Sequence, residues 1–258
     1  MTAYILRRLW QMIPTLFGVV LLVFLLFKGF GGDPAEILGG LNATQAQIES
    51  IRDQLGLNQP LYVQFAIFLK QIVTFDWGKS WATNEAVGHL FASRLPATLT
   101  VMVPILVLET LLAIPFALGV AYVRGSLTDR SIMVLTTVAL SISFLVYVIV
   151  GQYVFAFQLG LFPVQGWSDS LWTNLSRYAP LPVMLAVAVS LPGIFVGSFL
   201  IEVFFSIPGL GRELLLAVNR SDYPVIQAFA IYIAVITMIV NLLTDVLYKI
   251  VDPRVVLK

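Results

Sequence analysis

One carboxylate, Glu109, stands inside the apolar run PILVLETLLAIP, between Pro104 and Pro115. A charge at that depth in a membrane costs about 3 kcal/mol, so an ionisable group there is a functional suspect. It could line a passage for polar solutes or pair with a group on another subunit. It could equally be a carboxyl that only hydrogen-bonds to a neighbouring helix, and both readings stay open. Gln152 and Asn241, with Ser141 and Ser143, are further polar groups in long apolar segments, able to line a path or to bond between helices. Glu202 and Asp245 lie near the ends of such segments, where a side chain snorkels to the headgroup level or packs between helices. Other chemistry is thin. The single His89 has no second ligand at metal spacing, so no metal site is expected. There is no cysteine for thiol or disulfide chemistry, no GxxxxGK[ST] phosphate loop, and no cluster of nucleophile and base. No catalytic residue and no cofactor are expected in this chain.

The elements that position these residues are membrane helices. Of 258 residues, 59% are hydrophobic and 11% charged, and the mean hydropathy is +0.93. Soluble domains hold about 25% charged residues. A crossing helix needs about 20 apolar residues. Five segments pass that length: Leu9–Phe30, Thr98–Val123, Ile132–Gln158, Leu181–Ile207 and Val225–Tyr248. The first is too long for a signal-peptide core, and no small-residue cleavage site follows it, so a retained anchor is expected. Gly31–Ala97 is more polar. Thr44 can cap a helix that runs to Gly56. PLYVQFAIFLKQIVTF, from Pro60, puts Leu61, Phe65, Phe68 and Ile72 on one face, an amphipathic helix expected along the membrane surface, with Trp77 and Trp81 at headgroup level.

Lys and Arg favour cytoplasmic loops. With both termini inside, the inner pieces hold Arg7, Arg8, Arg124, Arg130, Lys249, Arg254 and Lys258 against Asp129 and Asp252; the outer Gly31–Ala97 holds four basic and six acidic residues. That bias requires an even number of crossings, and five segments are visible. Leu181–Ile207 would be about 40 Å long as one helix. It is long for one span, too short for two, and carries Pro192-Gly193 in its middle. It is one kinked span, a re-entrant hairpin, or the remains of two spans whose connecting piece is absent.

The residues also resemble a known family. YILRRLWQMIPTLFGVVLLVFLL with GGDPA, RLPATLT, SISFLVYVIVGQYVFAFQLGLFPVQGW, FLIEVFFSIPGLGRELLLAVNRSDYPVIQ and VNLLTDVLYKIVDPRV follow, in order, the pattern of the permease subunit of bacterial ABC importers for dipeptides and oligopeptides. The resemblance implies an all-α integral membrane bundle of the type I importer class with about six transmembrane helices. It divides the chain into 1–30 (cytoplasmic tail and first span), 31–97 (periplasmic loop with amphipathic helices) and 98–258 (permease core). It implies a multi-pass protein of the bacterial inner membrane with both termini cytoplasmic. A second homologous permease, two ABC ATPase subunits that bind ATP and Mg, and a periplasmic substrate-binding protein would be its partners, alongside membrane lipid and without nucleic acid. It places Glu202 and Asp245 in family patterns near span ends. Pro208, Gly209, Gly211, Arg212 and Asp222 fall near the outer mouth, where the binding protein docks. The family also carries a cytoplasmic EAA loop between its fourth and fifth spans, and nothing in Leu181–Ile207 resembles it. The expectation is therefore two crossings with the loop missing. The competing function, an ion-coupled secondary transporter or channel without ATPases, predicts several midplane charges or a repeat. Only Glu109 is central.

Overall fold

The arginine-led opening and its unbroken apolar run form one long helix, α1 (Thr2–Phe30), in the computed structural model. The structure describes residues 2–40, 43–189 and 194–251. The other elements are α2 (Pro34–Gly39), α3 (Gln45–Gln54), α4 (Leu61–Val73), α5 (Val87–Tyr122), α6 (Leu127–Ser141), α7 (Phe144–Gly151), α8 (Leu171–Thr173), α9 (Pro180–Val189), α10 (Ile194–Phe204), α11 (Leu210–Asn219) and α12 (Tyr223–Val251). Two π-helical stretches, Gln152–Gln158 and Asn174–Tyr178, lie between them. The only β feature among the described residues is a bridge between Lys79 and Ala86. The protein is all-helical, as expected. Among the described residues, α1, α5 and α12 are long and apolar enough to cross a membrane, and the α6–α7 pair would make a fourth crossing if it counts as one.

The chain forms two compact units, residues 1–90 with 217–258, and residues 91–216. In the first, α1 packs along α12, and Val20, Val23, Val225, Ala228 and Ile231 are buried. Thr44 caps α3 as a capping box: its hydroxyl accepts from Gln47 N–H, and Gln47 Oε1 accepts from Thr44 N–H. The amphipathic α4 packs against α1. Its Phe65 ring meets Phe17 and Phe24 of α1 at 5.7 and 5.3 Å, and Phe68 meets Phe24 at 5.8 Å. Phe17 lies about 20 Å before the end of α1 at 1.5 Å per residue. The aromatic stripe of α4 thus finds its apolar partner along the second half of α1, although 13 residues are too few to cross.

A loop-level ion pair holds α2 to α3. Asp33 caps α2 by accepting from Ala35 N–H at 2.9 Å, and its other oxygen accepts from Arg52 Nε at 2.7 Å. Burial pushes this carboxyl up, but the bonds from Arg52 and Ala35 outweigh it and hold it below the usual carboxylate value. A depressed folded pKa means stability present above the unfolded value and lost as pH falls through the folded one. Pepsin should therefore cut within residues 34–54 increasingly as pH drops below 3.8. An Arg52→Gln protein should be cut already above that pH.

The second unit departs once from the sequence reading. The third apolar segment is not one rod: α6 and α7 meet at 87°. Ile142 and Ser143 take extended backbone (ψ 133 and 137°), and Ser143 becomes the N-cap position of a new helix. The corner is tied by Ile142 N–H and Tyr147 O–H, both donating to Ala139 C=O. Ser141 bonds back to Thr137 C=O within α6 rather than between helices. The fourth segment is two short helices, α9 and α10, which pack on each other and on α7. The described residues of each span about 15 Å. Pro192-Gly193 lies outside the described residues. Val101, Ile105, Val148, Leu181, Leu185 and Ile201 form the buried core of this unit.

Candidate functional site

The IPGLG turn is where the second unit concentrates its buried polar chemistry. Glu202, on the last turn of α10, is 1% exposed. One carboxyl oxygen accepts from Thr98 Oγ1 at 2.6 Å. The other accepts from the backbone N–H groups of Gly211 at 2.6 Å and Arg212 at 3.2 Å. Thr98 in turn accepts from Leu210 N–H at 2.8 Å. The first N–H groups of α11 therefore end on a carboxylate and a hydroxyl, the arrangement that the orphan donors and positive end of a helix favour. So Glu202 neither snorkels nor reaches solvent: it fastens α5, α10 and α11 at one point.

This knot explains the glycines. A Cβ on Gly209 would sit 2.4 Å from the Glu202 carboxyl carbon, and one on Gly211 would sit 2.7 Å from Phe199 Cα. Pro208 and Gly209 close the turn, with Gly209 N–H donating to Ile207 C=O at 2.8 Å. Arg212 Nη1 donates to Ser206 C=O at 3.1 Å. Ser206 sits in the left-handed region (φ 57°) and is held by Gln165, whose amide donates to Phe204 C=O. Pro208, Gly209, Gly211 and Arg212 thus form one cluster with Glu202. Thr98 and Gln165 complete it, and neither stood out in the sequence. The polar Thr in RLPATLT, at the mouth of an apolar run, was the available signal.

Asp222 belongs to a second knot, in the first unit. It is 3% exposed and accepts from Ser80 Oγ, from Trp81 N–H at 3.0 Å and from Ala82 N–H at 3.3 Å. Its own carbonyl starts α12 by accepting from Ile226 N–H. The Lys79–Ala86 loop is thereby pinned to the start of the last helix. Asp222→Ala leaves three donors without their acceptor, which costs on the order of 2–4 kcal/mol. Trypsin should then cut after Lys79 in the variant at concentrations that leave the parent loop intact.

The remaining candidates stay apart. Glu109 is partly buried in α5, and its Oε2 atom is buried with no hydrogen-bond partner. Gln152 opens the π-helical stretch after α7 and donates to Val164 C=O at 2.7 Å. Asn241 lines a small crevice between α1 and α12 with Gln11 and Thr15. The side chain of Asp245 lies outside the described residues. Among the described residues no cluster of His, Cys, Asp and Glu could hold a metal ion.

Comparison with known proteins matches this architecture to transport. Residues 166–257 match the binding-protein-dependent transport system inner membrane component, and residues 1–102 match the amino-terminal part of such membrane components. A putative peptide transport system permease protein of Brucella abortus is 30% identical over 99% of each chain. A probable peptide ABC transporter permease protein of Sinorhizobium fredii is 26% identical, and a glutathione transport system permease protein of Salmonella choleraesuis 28% identical, again over 99% of both chains. The chain belongs to the family of binding-protein-dependent transport system permeases. It is a multi-pass membrane protein, the translocation subunit of an ABC importer. The Brucella and Sinorhizobium alignments are 311 residues long where this chain has 258, so at least 53 aligned positions carry no residue of it.

Proposed function

We propose that this permease passes di- and oligopeptides across the bacterial inner membrane, with both termini in the cytoplasm. A periplasmic binding protein delivers the peptide. A second homologous permease completes the pathway, and two ATPase subunits, which bind ATP and Mg, drive it. The full-length similarity to peptide permeases carries this reading. Two features support it further: the broad exposed apolar face of α5, with Leu111, Ile114, Phe116 and Leu118 each more than half exposed, suits contact with lipid and a second permease, and the unpartnered Glu109 oxygen gives an acidic point in the apolar run between Pro104 and Pro115. Glu109 and Gln152 are assigned to the path, with Asn241 on its cytoplasmic side. The Pro208–Arg212 turn and Asp222 are assigned to the outer mouth where the binding protein docks.

The positions that this chain lacks are assigned to the junction of α9 and α10, where a cytoplasmic loop would restore an even number of crossings. The test uses the tagged chain isolated from membranes, with and without the Brucella relative's additional segment grafted between Val189 and Ile194. The second permease should accompany both forms. Stoichiometric ATPases and ATP-dependent peptide uptake should accompany the grafted form. A homo-oligomer that moves solute without any ATPase would overturn the reading.

A further inference from the structure

A cavity of about 300 Å³ opens in the first unit, where the end of α1, the flank of α4, the Trp77–Trp81 loop and the start of α12 meet. Its lining is of two kinds. Phe24, Ile67 and Phe68 are among its apolar side chains, and Lys28 and Lys79 supply two ammonium groups, with Trp81, Tyr223 and neutral glutamines completing the wall. No Asp or Glu lines it. Asp33, close to Lys28 in sequence, is taken by Arg52, and neither lysine has a carboxylate within ion-pair distance among the described residues. The basic wall is also preorganised. Asp222 grips Trp81 N–H and Ser80, Glu85 C=O accepts from Ser80 N–H, and Gly78 C=O accepts from Val87 N–H. The Trp81 and Phe27 rings both meet Tyr223, at 5.6 and 5.5 Å. Lys79 is therefore presented from a fixed loop.

We propose that this cavity binds one anionic glycerophospholipid, its phosphate between Lys28 and Lys79 and the start of its acyl chains against Phe24 and Phe68. Three features choose a lipid over a protein loop or a free anion. Phenylalanine rings and unpaired ammonium groups line one cavity, matching the apolar and anionic parts of a lipid molecule. Leu22, Leu25 and Leu26, elsewhere on α1, are about half exposed, as on a helix long and apolar enough to cross the membrane. Beyond the cavity, Val73 and Phe75 are 69% and 78% exposed at the end of α4, apolar groups placed for an interface. The volume is at the low end of small-ligand sites, enough for a headgroup and its first methylenes. Two lysines fixed at headgroup level attract anionic lipid electrostatically.

The test is native mass spectrometry of the purified transporter from nanodiscs of phosphatidylcholine with or without phosphatidylglycerol. Wild type should retain phosphatidylglycerol in preference to phosphatidylcholine and gain thermal stability from it. Lys28→Gln with Lys79→Gln should reduce that retention on the order of tenfold and abolish the gain, while Lys28→Arg with Lys79→Arg should keep both. Equal retention of the two lipids overturns the proposal. So does a thermal gain from inorganic phosphate alone, which would mean a simple anion site. Unchanged phosphatidylglycerol retention in the glutamine variant with weakened binding-protein affinity also overturns it, and would make the cavity a protein-docking site.

Discussion

Glu202→Ala should be among the most damaging single changes in this protein. Three donors, the buried Thr98 Oγ1–H and the part-buried N–H groups of Gly211 and Arg212, lose their acceptor together. Glu202 is 1% exposed, so bulk solvent does not readily replace it. Breaking a buried network of this kind costs on the order of 3–5 kcal/mol. The melting temperature in detergent should fall by many degrees, and peptide uptake by the importer that carries the grafted segment should fall with it. Glu202→Gln keeps one carbonyl acceptor but turns an NH2 group toward donors, so its loss should be intermediate. Equal melting temperatures for parent and alanine variant would show that the knot contributes no stability.

The second large effect is expected from one methyl group. Gly211→Ala places a Cβ 2.7 Å from the Phe199 Cα on α10, a backbone atom that cannot swing aside. Overpacking of this sort costs about 1–3 kcal/mol, and here the shift needed to relieve it also stretches the bonds to Glu202. The contrast is Gly119→Ala in α5, where a Cβ meets nothing within 4 Å. There the gain in helix propensity makes the change neutral or stabilising by up to about 1 kcal/mol. Thermal denaturation of the two variants side by side checks the prediction. Similar melting temperatures would refute the close approach of α10 and α11.

How much of this was legible beforehand differs by element. α1, α5 and α12 are long, apolar and uninterrupted, and their existence followed from the span length alone. The corner at Ile142 did not, because nothing in SIS marks it: an extended backbone there is set by packing of α7 on α9 and α10, contacts that a one-dimensional pattern does not hold. The stripe of α4 was visible, but its partner was not, since Phe17 and Phe24 look like any lipid-facing phenylalanines. Leu181–Ile207 was ambiguous by its length. Two short helices and alignments longer than the chain account for that ambiguity together. The identities of Glu202 and Asp222 were plain in the sequence. Their partners Thr98 and Ser80, far away along the chain, were not.

The three prolines of α5 have a mechanical consequence. Pro96, Pro104 and Pro115 each deprive a carbonyl one turn earlier of its N–H donor within a 36-residue helix. Bending stiffness is lowest at such positions, so an applied torque is absorbed as flexure at the joints while the segments between them stay straight. Glu109 rides on the segment between two joints. A few degrees of flexure there swing its carboxyl laterally without breaking a single backbone bond of that segment.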